Sequence, residues 1–147
     1  MEDIDIQIAD YRSDLQQRSV ELRYRILREP LGLQYTAEQL AEEKEEVHIV
    51  AIKDGEVRGV VVLKNMEDGV LKMRQVAVDA SLQRTGIGRK MVLYSEQYAM
   101  EHNFKRIELH ARDTAKDFYL TLGYGICGDP FMEVGILHYK MTKMLGT

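Results

Sequence analysis

The run Val76-Ala77-Val78-Asp79-Ala80-Ser81-Leu82-Gln83-Arg84-Thr85-Gly86-Ile87-Gly88-Arg89 constrains this chain more than any other stretch. An apolar strand enters a loop with two glycines, and a helix starts at the far end of that loop. Glycines let a backbone approach a ligand closely, and the first turn of a helix leaves its N–H groups without acceptors. Those amides and the positive end of the helix dipole converge on one point, which suits a phosphate. Arg84 and Arg89 can add charge there. The run has neither the Lys-Ser/Thr ending of a P-loop nor the third glycine of a dinucleotide fingerprint. Taken alone, it is equally the sequence of a plain glycine turn.

The rest of the chain narrows the choice. Its 147 residues fit one domain, 1–147, with room for a real core. No apolar run approaches the ~20 residues of a membrane helix. The start, Met1-Glu2-Asp3-Ile4-Asp5, is acidic and lacks an apolar centre, so no secretory signal is expected. Cys127 is the one cysteine, which excludes an internal disulfide and a cysteine-based metal cluster and suits a reducing cytoplasm. His48, His102, His110 and His138 show no metal-binding spacing, and no metal is expected. A net charge of −4 argues against nucleic acid as the main partner.

Ile4, Ile6 and Ile8 alternate with polar residues, the period of a half-buried strand. Ser13 can cap a helix carrying Leu15, Val20, Leu22 and Ile26, which Pro30 and Gly32 terminate. A second helix is expected from Thr36, with Gln39 completing a capping box, through Glu46. Its run Glu42-Glu43-Lys44-Glu45-Glu46 reads as a solvated face. Val47 to Ile52 and Val57 to Leu63 flank Asp54-Gly55 and predict a hairpin, and Asp68-Gly69 leads into a further strand, Val70 to Val78. A helix from about Ile87 to His102, a strand over 107–111 and a short helix over 114–122 follow, with Thr114 as N-cap and Gly123 as terminator. Strands around 124–127 and 135–142 complete an α/β domain with a mixed sheet.

Two blocks in this order resemble the GNAT superfamily of N-acetyltransferases. Gln83-Arg84-Thr85-Gly86-Ile87-Gly88 matches the family's Gln/Arg-x-x-Gly-x-Gly/Ala pyrophosphate signature. Ala115-Lys116-Asp117-Phe118-Tyr119-Leu120-Thr121-Leu122-Gly123-Tyr124 resembles its second block, Ala-x-x-Phe-Tyr-x-x-x-Gly-Phe/Tyr. His110-Ala111-Arg112 and the stretch 128–136, followed by His138, resemble the ElaA-like branch. The resemblance covers nearly the whole chain. It implies a GNAT fold: a mixed, mostly antiparallel sheet of about six to seven strands flanked by about four helices.

The resemblance also implies roles. Acetyl-coenzyme A would lay its pantetheine arm along Val76, Ala77 and Val78, and its pyrophosphate on Gln83, Arg84, Thr85, Gly86, Ile87, Gly88 and Arg89. A substrate amine would attack the thioester directly, with a backbone N–H near Val78 polarising the carbonyl. Tyr119 matches the tyrosine that protonates the departing thiolate; the alternative is a core tyrosine under the last strands. Some relatives carry a catalytic glutamate on the strand before the loop, whereas Val70 to Val78 holds Lys72, Arg74 and Gln75 and no carboxylate. The base is left among Glu108 and His110, which share a strand face, Glu133 and His138, and a water chain. Arg112 stands where many relatives carry an asparagine that bonds the coenzyme. Tyr24, Arg25 and Arg28 fall where relatives build the acceptor pocket, and Glu133 and His138 are further candidates to line it. The expected partners are acetyl-CoA and an amine acceptor, and an exposed edge strand offers pairing with a second copy. The competing expectation is a coenzyme A-binding regulatory module of the same fold that lacks turnover.

Overall fold

The computed structural model describes residues 4–146. Met1–Asp3, part of the acidic start discussed above, and Thr147 lie outside the described residues. The chain runs β1 (Ile4–Ala9), α1 (Asp14–Arg23), α2 (Ala37–Ala41), β2 (Val47–Lys53), β3 (Glu56–Asn65), β4 (Val70–Val78) and α3 (Ile87–Glu101). It continues with β5 (Arg106–Arg112), α4 (Lys116–Thr121), β6 (Gly125–Ile126), β7 (Phe131–Glu133) and β8 (Ile136–Met144). The strands form one sheet in the order β1-β2-β3-β4-β5-β8-β6, with β7 also paired to β8. All pairings are antiparallel except β4 with β5. No helix among the described residues is long and apolar enough to cross a membrane.

Local chemistry accounts for most of these boundaries. Ser13 Oγ accepts from the Gln16 amide at the start of α1, and Thr36 and Gln39 form the expected capping box on α2. Asp54 and Gly55 both take positive φ, the conformation of a tight hairpin turn between β2 and β3. The two sheet faces carry separate cores. Ile49, Val61, Leu63, Leu71 and Met73 pack with Ile87 and Met91 of α3, while Val50, Val60, Val62 and Ala77 pack with Leu22 of α1.

β4 does two things that open the molecule. Its register with β3 slips between Val60 and Val62, and Gln75 at the slip has a φ of 54°. A bulge adds one residue and therefore reverses the alternation of faces. Leu71 and Met73 accordingly lie in the α3-side core while Ala77 lies in the α1-side core. β4 also pairs with β5 only from Val70↔Arg106 to Met73↔Leu109. Beyond that point β4 stays with β3 and β5 stays with β8, and the two parallel strands part.

Three sequence expectations need correction, and one strand is additional to them. The second helix is shorter than expected, since α2 ends at Ala41 and a 3₁₀ turn covers Glu42–Glu45. The acidic run is not wholly a solvated face: Glu43 is buried against Arg23, and the Glu46 side chain pairs with Arg74 at 2.8 Å. Thr114 is not a cap, because a 3₁₀ turn over Asp113–Ala115 precedes α4 and no side chain caps that helix. Finally, β7 forms a short hairpin with β8 through Val134 and Gly135, both at positive φ.

Candidate active site

The parted strands frame a cavity of about 240 Å³. Met73, Val76, Leu109 and Ala111 give it apolar walls from β4 and β5. Ala115 and Tyr119 enter from the α4 side, Leu27 and Arg28 from the end of the first helix, and Glu133, Val134 and His138 from the β7–β8 hairpin. The first helix reaches the cavity because α1 passes into a π-helical turn at Tyr24–Arg28. A π turn rotates the residues that follow it relative to an unbroken helix, and such turns recur at functional sites.

At one end of this gap lies the glycine loop. Gly86 has a φ of 94° and caps α3 without a side-chain hydrogen bond. Among the described residues none accepts from the amides of Arg84, Gly86, Ile87, Gly88 or Arg89. A Cβ at Gly86 would meet nothing within 4 Å, so the backbone is open to solvent there. Arg84 and Arg89 are exposed beside it. Gln83 Nε2 donates to the Val78 carbonyl at 3.1 Å and ties the loop back to β4, and the Thr85 hydroxyl donates to the Leu82 carbonyl. The Asp79 amide donates to the Arg58 carbonyl on β3. By strand alternation the backbone groups of Ala77 then face β3, and those of Val76 and Val78 face the gap. Unpaired loop amides, a β4 edge open at Val76 and at the Val78 amide, and exposed cations fit a diphosphate ester with an amide-bearing arm.

Tyr119 stands between loop and cavity. Its ring packs edge-on against Phe118 and Tyr124, and Phe118 in turn lies against Gly88, whose added Cβ would be 3.5 Å from Phe118 Cζ. Only 5% of Tyr119 is exposed, and burial holds its phenol above the ordinary tyrosine range. The hydroxyl has no hydrogen-bond partner among the described residues, yet it is not one of the occluded polar atoms. It is a neutral O–H on a residue that lines the cavity.

Opposite it, side chains from β5, β7 and β8 converge. His110 Nδ1 lies 3.0 Å from Glu133 Oε2. The carboxylate can only accept, so Nδ1 carries the proton and Nε2 presents a lone pair when the ring is neutral. Phe131 meets the His110 ring edge-on and stacks over His138. His138 Nδ1 donates to the Ile136 carbonyl at 2.8 Å. Glu108 shares the strand face with His110 but does not line the cavity, and it pairs with Lys140 at 3.4 Å. Tyr24 lines a shallow depression with Val20, Gln34, Tyr35 and Leu40, and Arg25 is exposed; neither reaches the cavity.

Several lining residues escaped the sequence reading as a group. Lys72 and Arg74 project into the cavity, and Gln75 is held by the Tyr35 hydroxyl at 2.6 Å. Burial lowers the Lys72 ammonium below its usual range. Arg112 donates from Nη2 to the Leu27 carbonyl at 3.2 Å, and burial with nearby Arg28 lowers its guanidinium too. The available signal was charge at alternate positions of an otherwise apolar strand, Val70-Leu71-Lys72-Met73-Arg74.

Residues 14–145 match the family model described as the acetyltransferase (GNAT) domain. The chain belongs to the GNAT acetyltransferases. Among sequence relatives, YyaT of Bacillus subtilis (strain 168) is 33% identical over 72 residues. That match spans 49% of this chain and 49% of YyaT, about half the length of each. Escherichia coli ElaA superposes with a TM-score of 0.80 at 19% identity, covering 96% of this chain and 99% of ElaA. An aminoglycoside 6′-N-acetyltransferase complexed with coenzyme A gives a TM-score of 0.82 at 16% identity, covering 97% and 98%. At these identities the superpositions establish the GNAT fold and nothing finer.

Proposed function

We propose that this GNAT chain, residues 1–147 acting as one domain, moves an acetyl group from acetyl-CoA to a primary amine within a ternary complex. One observation carries the reading: the unpaired amides of the glycine loop follow directly on β4, and Gly88 of that loop packs on Phe118, the neighbour of the cavity-lining Tyr119. A diphosphate seated on the amides of Arg84 to Arg89 directs its arm along Val76 and Val78 into that gap. The thioester then lies between Tyr119 and the His110–Glu133 pair.

The chemistry balances with these groups. The amine nitrogen forms a bond to the thioester carbonyl carbon, and the carbon–sulfur bond breaks. His110 Nε2 takes the proton the amine gives up, while Glu133 holds the ring in place and steadies its positive charge. Tyr119 gives its proton to the departing thiolate and recovers one from solvent. Burial keeps the phenol protonated but also makes it a weaker acid, so the proton passes only as negative charge builds on the departing sulfur. His110 with Glu133 supplies the base that β4, lacking a carboxylate, does not.

An aminoglycoside is an unsuitable acceptor, since a polycation would meet Arg28, Lys72 and Arg112 in this cavity. The test is calorimetric titration with acetyl-CoA, followed by thiol release over a panel of amines. Binding with release supports the proposal. Binding without release across the panel points instead to a regulatory coenzyme-binding module, and absence of binding overturns the assignment of the loop.

A further inference from the structure

We infer that the acceptor is an amine that also carries a carboxylate, seated between Arg28 and Arg112 and facing Lys72; the inference rests on the acetyl-transfer reading above. The argument begins with the face of the sheet that α1 covers only in part. On β4, β5 and β8 this face carries a dense set of charges, some of them matched. Arg74 pairs with Glu46 at 2.8 Å and Lys140 with Glu108 at 3.4 Å, while Glu133 accepts from His110 Nδ1 at 3.0 Å.

Three cations are left over. Arg28, Lys72 and Arg112 all line the cavity, and among the described residues none of them is within ion-pair distance of a carboxylate, although Glu133 and Glu108 act on Lys72 from farther off. In a chain of net charge −4 this is a local reversal of sign. It is also a held geometry. Arg28 lies over one face of Tyr35 at 4.8 Å while Arg23 lies over the same ring at 4.8 Å, and the Tyr35 hydroxyl is anchored on Gln75. Arg112 is fixed by its bond to the Leu27 carbonyl, in the residue next to Arg28.

Partly buried like charges cost free energy until an anion arrives. Burial is the main reason that Arg112 and Lys72 hold their protons less tightly; Arg28 adds to it at Arg112 and Arg74 at Lys72, while Glu133 and Glu108 pull Lys72 the other way. Two planar guanidinium groups match the two oxygens of a carboxylate, and a lysine adds a third donor. With the anion held there, the amine end of the same molecule can extend toward His110 Nε2.

The experiment compares matched acceptors that differ only in charge, β-alanine against β-alaninamide and glutamate against glutamine, by thiol release at saturating acetyl-CoA. In parallel, the coenzyme A-loaded protein is titrated with N-acetyl-β-alanine and with its carboxamide, which needs no turnover. The expected result is a preference for the carboxylate member by on the order of tenfold to a hundredfold, the range for hydrogen bonds to a charged group. Arg28→Gln and Arg112→Gln each erode that preference while acetyl-CoA affinity, measured alongside, shows the protein is folded. Arg28→Gln is the safer variant, because Arg112 also braces the Leu27 carbonyl. Parity between acid and amide, a preference untouched by either substitution, or no binding of either member to loaded protein overturns the inference and leaves acetyl transfer standing. Selective binding of the N-acetyl carboxylate without thiol release from any amine does the opposite: it upholds the anion subsite and sinks the catalytic reading.

Discussion

Tyr119 and Gly86 show how single residues divide the work. Replacing Tyr119 by Phe removes one hydroxyl that bonds nothing within the described residues, so the fold loses little. The thiolate loses its acid, and turnover should drop by about 10²- to 10⁴-fold while acetyl-CoA affinity stays nearly constant. Steady-state thiol release beside calorimetric binding checks both halves; unchanged turnover would make Tyr119 a packing residue. The two loop glycines differ in kind. Gly86 sits at a φ of 94° with open space around it, so Gly86→Ala suffers backbone strain alone, about 1–2 kcal/mol. Gly88 has an ordinary helical conformation and its added Cβ meets Phe118 at a normal contact distance of 3.5 Å. Gly88→Ala should be neutral to stabilising, since alanine favours a helix over glycine by roughly 1 kcal/mol. Thermal melts of the pair, with acetyl-CoA titrations, separate strain from steric fit: equal losses in both variants would refute the distinction.

At the scale of elements, β4 governs the site through its bulge. Gln75 adopts the left-handed region at a φ of 54°, which costs a non-glycine residue on the order of 1 kcal/mol and a β-branched residue more. Gln75→Gly relieves that strain and loses the Tyr35 hydrogen bond, so the two effects nearly cancel. Gln75→Val has no such relief and should cost about 2 kcal/mol. It should also weaken acetyl-CoA binding, because a strand without the bulge turns Val76 and Val78 off the gap. Urea midpoints and coenzyme titrations of both variants decide it, and a Val variant as stable as the parent would show that the bulge stores no strain. None of this was legible in advance. Alternating Ile4, Ile6 and Ile8, the β-branched runs of β2 and β3 and the Asp-Gly turns are local signals, and they placed those strands correctly. The glycine loop was legible for the same reason. The bulge, the π turn at Tyr24–Arg28 and the β7–β8 hairpin depend on what packs against them. Likewise Glu43 and Glu46 look solvated in sequence, and only the fold brings Arg23 and Arg74 to them. The His110–Glu133 pair joins two strands that no spacing rule connects.

Over the whole molecule, stability and site share one network of buried charge beneath α1. Arg23 is fully buried, donates from Nη2 to Glu43 Oε1 at 2.6 Å, and leaves Nε and Nη1 without partners. Such a pair is weak evidence for stability, but it fixes how the acidic turn after α2 docks against the first helix. His48 on β2 completes the group. Its Nε2 donates to the Glu43 carbonyl, its Nδ1 is buried without a partner, and Tyr11 lies over the ring. Burial, aided by the charge on Arg23, lowers its pKa below the usual 6.5, against the opposing pull of the Glu43 carbonyl and of Glu43 and Glu46. The sign of the pH dependence follows. The folded protein holds this histidine neutral, so between its lowered pKa and 6.5 the unfolded chain binds more protons. The stabilisation is full above 6.5 and is lost as pH falls through the folded value. His48→Phe keeps an apolar ring on β2 and removes the titration. Its stability should therefore fall less steeply than that of the parent as pH is lowered from 7 toward 5, roughly the window in which an unperturbed histidine changes charge. Chemical denaturation of the two proteins at a series of pH values measures the difference in slope. Parallel profiles would mean that His48 takes up its proton in the folded state as readily as in the unfolded chain, and that the charge network under α1 is open to water rather than sealed by the fold.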